Sequence, residues 1–500
     1  MKNIKNEFEK NDIIEKNLKQ KLQKIVGNEN IIDDPNKIEE ILVDYSFFPK
    51  RYPQYIVFPQ NLHEIQKIIQ LANKYNIPII PRSSEISFYG ESLHRQGGIM
   101  LNLKRMNKIL DINERNRSIR IQAGVNWGMI IDILKEHGLR LNMPLFPHPK
   151  KSVLTSYLER YPLVIATYEY SEPLGALEVV MGNGAIFRTG SAVGPGEPDE
   201  APETVAFVDP TGPGSSDFYR IIQGAQGTIC AVTWGTIKVE AIPSLQSLYF
   251  ISSESLEILV DFIYKIQRRM IGYECFVLNN IDLAIILSQH LSQEFKKIMR
   301  ELAPWNLIFV IGGLKRYPEE KIAYEEEILF ELAKQVKLSP QKELPGIINA
   351  NQEILKIIGE AWKKEPYWKF FLKGACCDIF FLTTMNKVPE FDREVRKKTQ
   401  QFNYPDDLLG SYMQPIEYGR ACHLEYNFFY DSKNNQELQH IQSLYREVSE
   451  VIYDLGGFFS RPYGLWKEMI FSRHKIYADT LKKTKLIFDP QNIMHPGHFF

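Results

Sequence analysis

The stretch that decides the fold runs from residue 52 to residue 240, and its centre is Ile-Pro-Ile-Ile-Pro-Arg-Ser-Ser-Glu-Ile-Ser-Phe-Tyr-Gly at 77–90. A short apolar strand bounded by prolines leads there into a loop rich in hydroxyl groups. Outward from it lie four other informative pieces: Pro-Gln-Tyr-Ile-Val-Phe-Pro at 53–59, Gly-Gly-Ile-Met-Leu-Asn-Leu-Lys-Arg-Met-Asn at 97–107, Leu-Glu-Arg at 158–160, and Leu-Glu-Val-Val-Met-Gly-Asn-Gly-Ala-Ile-Phe-Arg-Thr-Gly at 177–190. From 53 to 125 the pattern predicts strand, helix, strand, loop, strand and strand, with Asn61 as the N-cap of the helix. Further on, the pattern predicts a hairpin at the Asn-Gly pair of 183–184, a strand at 228–240 and a helix at 256–269.

Composition narrows the class of protein. The chain has 500 residues, enough for two or three domains, with 44% hydrophobic and 24% charged residues. Its net charge of −1 argues against nucleic acid or an anionic membrane as main partner. The N-terminus lacks the apolar core of a signal peptide, and no apolar run reaches the ~18 residues of a membrane span. Five cysteines without metal-ligand spacing favour a reducing compartment, so we expect a cytoplasmic protein.

In this order and spacing, the five pieces resemble the FAD-binding domain shared by vanillyl alcohol oxidase and para-cresol methylhydroxylase. The resemblance implies an α+β fold, in which a two-subdomain FAD-binding domain is joined to an α+β cap with an antiparallel sheet. The sequence Asp-Pro-Gln-Asn-Ile-Met-His-Pro-Gly at 489–497 resembles the closing motif of the same superfamily. The expected division is a helical arm at 1–48, the FAD-binding domain at 49–245, the cap at 246–455 and a return to the FAD-binding domain at 456–500.

The resemblance also implies the cofactor site. Backbone N–H groups of the loop at 81–90 would hold the FAD pyrophosphate. With glycine only at its end, this loop would be built differently from the glycine-richer family loop, since left-handed non-glycine residues cost roughly 1–2 kcal/mol each. The residues expected to bind FAD are Pro81, Arg82, Ser83, Ser84, Glu85, Ser87, Ser152, Ser156, Gly227, Thr228, Cys230 and Val232. Vanillyl alcohol oxidase carries its flavin on a cap histidine. Because residues 374–381 contain no His or Tyr and His94 is a weak substitute, we expect non-covalent FAD.

Four residues are candidates for the chemistry. By the resemblance, Tyr89 and Arg461 bind a substrate oxygen, although the family's tyrosine before this arginine is Ser460 here. An ungapped count from Leu-Glu-Arg places the acid near flavin N5 at Glu169, where the family has Asp. His423 fits a core histidine, a catalytic support or, least well, a metal ligand, and we assign no metal.

The functional prediction is an FAD-dependent oxidoreductase that oxidises a para-substituted phenol or related aromatic alcohol by hydride transfer to flavin N5. One alternative is a 2-hydroxy-acid dehydrogenase in which Arg461 binds a carboxylate. The other alternative is a flavin electron-transfer subunit of a larger complex. The expected partner is a small-molecule substrate, while the electron acceptor and the formation of a homodimer are left open.

Overall fold

The computed structural model describes residues 17–93, 97–167, 172–194, 209–212, 217–288 and 292–499. It confirms the α+β class, because two sheets with their helices in the first half of the chain are followed by a large antiparallel sheet in the second half. We call the first two sheets and their helices the N-terminal unit, and the large sheet and its helices the cap. Among the described residues, no helix has the length and apolar character needed to cross a membrane.

The first sheet of the N-terminal unit is mostly parallel and carries the loop of interest at its edge. Its four strands, in spatial order, are Ile31–Ile32, Tyr55–Val57, Ile99–Asn102 and Ile79–Arg82. The helix Leu62–Tyr75 connects two of them and begins as predicted, with the Asn61 side chain accepting a hydrogen bond from the Glu64 N–H at 2.9 Å. Its buried residues are spaced for one helical face and are Ile65, Ile68, Ile69 and Ala72.

The second sheet of the N-terminal unit is antiparallel. Its five strands, in spatial order, are Ile186–Arg188, Leu174–Met181, Cys230–Lys238, Ser118–Gln122 and Ile109–Asn113. The Asn-Gly pair at 183–184 forms the predicted hairpin, since Glu178 lies opposite Arg188 and Val180 opposite Ile186. The predicted strand at 228–240 is shorter at both ends. The remaining helices of this unit, apart from the one at 17–26, are Pro35–Ile41, Trp127–Glu136, Val153–Leu158 and Phe218–Ile222.

Two pairs of short strands complete the N-terminal unit. Leu139–Arg140 pairs antiparallel with Glu240–Ala241, and Val43–Asp44 pairs in parallel with Ile86–Ser87. Within 17–48 the chain therefore contributes strands to the body of the protein as well as the helices predicted for it. The second pair ties this N-terminal segment to the hydroxyl-rich loop.

The cap is built on one six-stranded antiparallel sheet. Its strands, in spatial order, are Leu245–Ser253, Trp305–Gly313, Cys275–Asn279, Leu409–Ile416, Ala421–Tyr430 and Ala375–Thr383. Its helices are Leu256–Arg269, Asn280–Leu287, Ser292–Glu301, Pro318–Gln335, Ala350–Ile358, Val388–Gln401 and Asn435–Asp454. Four of these helices bury apolar residues in one cluster with the sheet. On the other side, Phe146 and Val164 of the N-terminal unit join Phe276 of the cap sheet in a second cluster.

After the cap the chain returns to the N-terminal unit. The helices Leu465–Arg473 and Lys475–Phe488 lead to the closing motif, whose Ile493 and Met494 are buried in the core of the N-terminal unit. The buried Lys485 pairs with Asp489 at 2.5 Å and donates to the carbonyl of Thr228 at 2.7 Å. The segment after the cap therefore closes against a wall of the first cavity described below.

Candidate active site

Two neighbouring cavities share the side chain of Lys151. The loop cavity holds about 800 Å³ of empty space and is walled by the N-terminal unit. The cap cavity holds about 600 Å³ and is walled by the N-terminal unit on one side and the cap on the other. Lys151 is buried, with its ammonium 2.9 Å from Glu91 and 3.8 Å from Glu159. This lysine is therefore a charged partition between the two cavities.

Most of the residues expected to bind FAD lie on the wall of the loop cavity. They are Pro81, Arg82, Ser83, Ser84, Ser87, Gly227, Cys230 and Val232. Glu85 is exposed and points away, with its carboxylate 3.5 Å from the side-chain amide of Asn126. Ser152, Ser156 and Thr228 are buried and hydrogen-bonded within the protein.

Arg82 braces the hydroxyl-rich loop from inside. Its guanidinium donates to the backbone carbonyls of Ser84, Glu85 and Val43 at 2.8 to 2.9 Å. The first left-handed residue of the loop is Gly90, with φ of +68°. The loop therefore avoids the strain expected from non-glycine residues, because a buried arginine holds its carbonyls. The hydroxyls of Ser83, Ser84 and Ser87 are hydrogen-bonded within the protein.

Ser152 and Ser156 hold the neighbouring wall in place. The Ser152 hydroxyl caps the helix Val153–Leu158 by accepting from the Thr155 N–H at 3.1 Å, and it donates to the carbonyl of Ala123 at 2.7 Å. The Ser156 hydroxyl accepts a hydrogen bond from the indole N–H of Trp127 at 3.1 Å. Ser156 itself lines the cap cavity. The hydroxyls of these two serines are thus engaged with the protein's own groups.

The loop cavity fits a long, phosphate-bearing cofactor such as FAD. Hydroxyl groups follow the end of a parallel strand, where backbone N–H groups and serines bind anions. The opposite wall carries Gly224 and Gly227 in left-handed conformations, with φ of +73° and +71°. A Cβ atom on Gly227 would stand 3.1 Å from Cδ of Pro81, so glycine is what keeps this part of the cavity open.

The cap cavity has aromatic walls and a few charged groups. Its apolar lining consists of Phe88, Pro144, Leu145, Pro147, Pro162 and Trp368. Its tyrosines are Tyr89, Tyr161, Tyr367 and Tyr412. Its remaining polar lining is Lys151, Ser156, Lys369, Asp378, Glu425 and Arg461. Such a cavity accepts a flat apolar ligand and orients it by a small number of polar groups.

Arg461 lies between two aromatic rings at one side of the cap cavity. Its guanidinium carbon is 4.3 Å from the ring centre of Tyr161 and 3.9 Å from that of Phe380, and the residue is 1% exposed. The Tyr161 hydroxyl has no hydrogen-bond partner among the described residues. Burial raises the pKa of Tyr161 to about 12, so this hydroxyl stays protonated and can donate to a ligand oxygen.

Tyr89 connects the loop to the cap. Its hydroxyl donates to Oδ2 of Asp378 at 3.1 Å, and its ring stacks on Tyr463 with centroids 5.2 Å apart. The Tyr463 hydroxyl in turn donates to Glu159 at 2.9 Å. Burial and the neighbouring Asp378 carboxylate raise the pKa of Tyr89 well above its usual value.

A buried lysine joins two carboxylates on the cap side of this cavity. Lys369 donates to Oδ2 of Asp378 at 2.5 Å and to Oε1 of Glu425 at 2.6 Å, and Oε2 of Glu425 lies 3.2 Å from Nε2 of His423. Burial favours the protonated form of Glu425, but Lys369 and His423 outweigh it and lower the pKa of Glu425 to about 2. Burial disfavours the charged form of both neighbouring groups, so it raises the pKa of Asp378 and lowers the pKa of His423. Asp378 is therefore the more basic carboxylate of the pair.

Comparisons with known proteins agree with this geometry. Residues 53–150 match the FAD binding domain family. The fold matches p-cresol methylhydroxylase with substrate bound, with a TM-score of 0.83 at 16% identity, covering 97% of this chain and 96% of that chain. It also matches 4-ethylphenol oxidase from Gulosibacter chungangensis, with a TM-score of 0.81 at 16% identity and the same coverage. The chain therefore carries an FAD-binding domain and has the fold of these two enzymes over nearly its whole length. It is an FAD-dependent oxidoreductase.

Among the curated relatives with a similar sequence, two are named for 2-hydroxy acids and not for phenols. The glycolate oxidase subunit GlcD of Bacillus subtilis is 23% identical over 98% of this chain and 97% of its own length. A mitochondrial D-lactate dehydrogenase (cytochrome) of Arabidopsis thaliana is 26% identical over 38% of this chain and 31% of its own. The proteins with a similar fold and those with a similar sequence therefore differ in the substrates that their names give.

The structure brings together two of the four predicted catalytic residues in this flavoprotein. Tyr89 and Arg461 both line the cap cavity, and His423 lies one step behind it, against Glu425. Glu169 lies outside the described residues, as does His94.

Sequence reasoning missed Tyr161 and Lys369. The available signal for Lys369 was a lysine inside the aromatic run Trp-Lys-Phe-Phe at 368–371, since a lysine among buried aromatics needs a carboxylate partner. Tyr161 directly follows the Leu-Glu-Arg at 158–160, so it adjoins a piece that was already recognised.

Proposed function

We propose that this flavoprotein oxidises a para-substituted phenol or a related aromatic alcohol bound in the cap cavity. The observation that carries the proposal is the placement of Arg461, Tyr161 and Tyr89 at one side of an aromatic-walled cavity next to the loop cavity. FAD, when bound, supplies a two-electron acceptor for hydride from a substrate carbon. In this proposal, the lining of the loop cavity holds the cofactor.

Three side chains would contact the substrate oxygen. The Arg461 guanidinium is permanently charged and stabilises an oxyanion, and the Tyr161 hydroxyl is a donor beside it. The Tyr89 hydroxyl donates its proton to Asp378, so its oxygen can accept a hydrogen bond from a substrate O–H group. The rings of these two tyrosines are 6.5 Å apart. Tyr161 would thus take the place of the tyrosine that the chain lacks at Ser460, by approaching Arg461 from another part of the fold.

The walls of the cap cavity favour a flat substrate. Phe88 and Trp368 contribute aromatic surface, while Pro144, Pro147 and Pro162 add rigid apolar surface. Such walls exclude water around a developing charge, which strengthens every electrostatic interaction in the cavity. Glu169 remains our prediction for an acid on the side of the cofactor.

The second candidate is a 2-hydroxy-acid dehydrogenase, in which Arg461 would bind the carboxylate. It is favoured by the glycolate oxidase subunit, which matches this flavoprotein over nearly its whole length. It is disfavoured by the apolar lining, since a small polar acid would leave most of the aromatic wall without a contact. The third candidate, an electron-transfer subunit, predicts that neither kind of substrate reduces the flavin.

Anaerobic mixing of the purified flavoprotein with substrates tests the proposal, with flavin absorbance as the readout. We expect 4-alkylphenols and 4-hydroxybenzyl alcohol to bleach the flavin, and glycolate and D-lactate to leave it oxidised. Tyr161→Phe should slow the bleaching at least tenfold, since a hydrogen bond to a charged oxygen contributes roughly 1.5–3 kcal/mol. Bleaching by the hydroxy acids alone would contradict the proposal.

Tyr404→Phe is the matched control for that variant. The Tyr404 hydroxyl is also buried, but it donates to the backbone carbonyls of Leu408 and Phe429, outside the lining of both cavities. We expect this variant to lose some stability and to bleach at the wild-type rate. An equal loss of rate in the two variants would show that the Tyr161 effect is only structural.

A further inference from the structure

A continuous line of hydrogen bonds starts at Tyr89 and runs along the wall of the cap cavity to His423 behind it. The Tyr89 hydroxyl contacts Oδ2 of Asp378 at 3.1 Å, and Lys369 contacts the same oxygen at 2.5 Å. The line continues through Lys369 to Glu425 and from there to His423. All of these groups except Tyr89 belong to the cap, and Lys369, Asp378, Glu425 and His423 are buried. A group of ionisable residues this deep in a protein needs an explanation beyond stability, because buried charge pairs contribute little to it.

We propose that Asp378 accepts the proton of the substrate O–H group through the hydroxyl of Tyr89, and that Lys369 serves as the counter-ion of Asp378. The inference rests on the proposed function to the extent that a substrate O–H group must reach Tyr89. It holds equally for a phenol, an aromatic alcohol and a 2-hydroxy acid, since each carries such a group.

Oxidation of the substrate releases one proton as well as a hydride, so the site needs a proton acceptor. The substrate C–H bond gives a hydride, with two electrons, to the oxidised flavin, and the O–H bond gives one proton. Tyr89 takes that proton on its oxygen as it passes its own to Asp378, so Tyr89 ends neutral and Asp378 ends protonated. The ammonium of Lys369 then pairs with Glu425 alone, which remains ionised.

The geometry assigns Asp378 rather than Glu425 to the acceptor role. Asp378 lies within hydrogen-bond distance of Tyr89, whereas Glu425 is held by Lys369 and His423. The higher pKa of Asp378 also makes it the better base near neutral pH. The titratable groups that act on Asp378 or feel its charge are Tyr89, Tyr367, Lys369, Cys376, Cys377, Glu425, Tyr430, Tyr445 and Asp282.

The test is the pH dependence of flavin reduction by whichever alcohol or phenol bleaches the wild type. In the wild type, the rate constant of flavin reduction divided by the substrate Kd should fall as the pH is lowered, because Asp378 becomes protonated and can no longer accept a proton. Asp378→Asn should lower this quantity at least tenfold and abolish the acid-side fall. Tyr89→Phe should do the same, and the double variant should be no worse than either single one, because both substitutions break one relay.

Lys369→Met probes the counter-ion. Without the ammonium, the pKa of Asp378 rises further, so the acid-side fall should move to higher pH. Asp392→Asn is the matched control, since Asp392 is a buried aspartate that pairs with Arg396 at 2.9 Å and lines neither cavity. This control should keep the wild-type profile.

Each outcome is decisive for the relay. Retention of the acid-side fall in Asp378→Asn, or losses that multiply in the double variant, would overturn it. Asp378→Asn leaves Lys369 and Glu425 as a neutral pair and should fold. If it does not, Tyr89→Phe alone decides, and a wild-type profile in that variant refutes the relay. If no compound with an O–H group reduces the wild-type flavin, the proposed function is wrong, and the relay is refuted with it. If only the relay is wrong, the Asp378→Asn and Tyr89→Phe variants still reduce the flavin with the pH profile of the wild type.

Discussion

Replacing Arg461 by lysine separates the shape of this side chain from its charge. Arg461 is 1% exposed and lies between the rings of Tyr161 and Phe380. Lysine keeps the positive charge but loses the planar fork of donors and the flat surface that stacks on both rings. The variant thus tests whether the substrate oxygen is held by oriented donors or only by a nearby charge.

The expected loss follows from these contacts. One charge-assisted hydrogen bond to an oxyanion contributes roughly 1.5–3 kcal/mol. Its loss corresponds to a fall in rate of about 10 to 150-fold, because each ~1.4 kcal/mol is a factor of ten. Weaker contact with the two rings lowers the stability of the folded protein instead, at roughly 1–2 kcal/mol for a desolvated cation over an aromatic face. We therefore expect flavin reduction by substrate to fall at least tenfold.

The assay is anaerobic stopped-flow measurement of flavin absorbance, with FAD content measured on the same sample. FAD content should be unchanged, since Arg461 lines the cap cavity and not the loop cavity. Arg396→Lys is the control, because Arg396 also lies over an aromatic ring, 5.7 Å from the centre of Trp305, but lines neither cavity. An unchanged reduction rate in Arg461→Lys would refute the role of Arg461 in binding the substrate oxygen.

Four further outcomes are expected. Acid precipitation should release the FAD into solution, because the stretch at 374–381 offers no His or Tyr for a covalent bond; fluorescence that stays with the polypeptide on a denaturing gel would contradict this. Glu169→Gln should slow flavin reduction strongly and leave the flavin spectrum nearly intact. Gly227→Ala should weaken FAD binding at least tenfold in an equilibrium titration, since a left-handed non-glycine residue costs roughly 1–2 kcal/mol and the added Cβ meets Pro81. Burial lowers the pKa of His148 to about 4, so between pH 4 and 6.5 the unfolded chain binds more protons than the folded chain. The contribution of neutral His148 to the free energy of unfolding is therefore complete above pH 6.5 and is lost as the pH falls towards 4. His148→Asn should flatten the dependence of the melting temperature on pH in that range.

Two of these experiments have controls in the chain. Glu172→Gln is the control for the acid, since Glu172 pairs with Lys238 at 3.2 Å and is partly exposed; a larger effect here than at Glu169 would show that the register is wrong. Gly359→Ala is the control for the glycine. Its φ is −92°, and a Cβ there meets nothing within 4 Å. FAD binding that weakens equally in both glycine variants would contradict the role of Gly227.

The parts of the fold that the sequence predicted well are those encoded by short-range signals. The helix Leu256–Arg269 has its predicted ends, because its apolar periodicity begins directly after the Ser255 cap. The hairpin at Gly182–Gly184 follows from the conformations that Asn and Gly allow. The loop at 81–90 was placed correctly after its strand, but the bracing by Arg82 depends on Val43, a contact that no local pattern reports.

The parts of the site that escaped prediction depend on long-range register. Asp378 and Glu425 converge on Lys369 because the strand Ala375–Thr383 pairs with Ala421–Tyr430, with Asp378 opposite Asn427. A shift of one residue in that pairing would turn one carboxylate to the other face of the sheet. Tyr161 likewise reaches Arg461 across 300 residues of sequence, so only the assembled fold shows that it can replace a missing neighbour of that arginine.

The hydroxyl-rich loop has a thermodynamic consequence for the whole enzyme. Its first part lines the loop cavity, and its last residues, Phe88 and Tyr89, line the cap cavity. If a ligand in one cavity orders the loop, a second ligand in the other cavity loses less conformational entropy when it binds. This cooperativity is reciprocal: the factor by which FAD tightens the binding of a substrate analogue equals the factor by which that analogue tightens FAD. If FAD orders the loop, a substrate analogue should bind more tightly to the FAD-loaded protein than to the FAD-free protein, by that same factor.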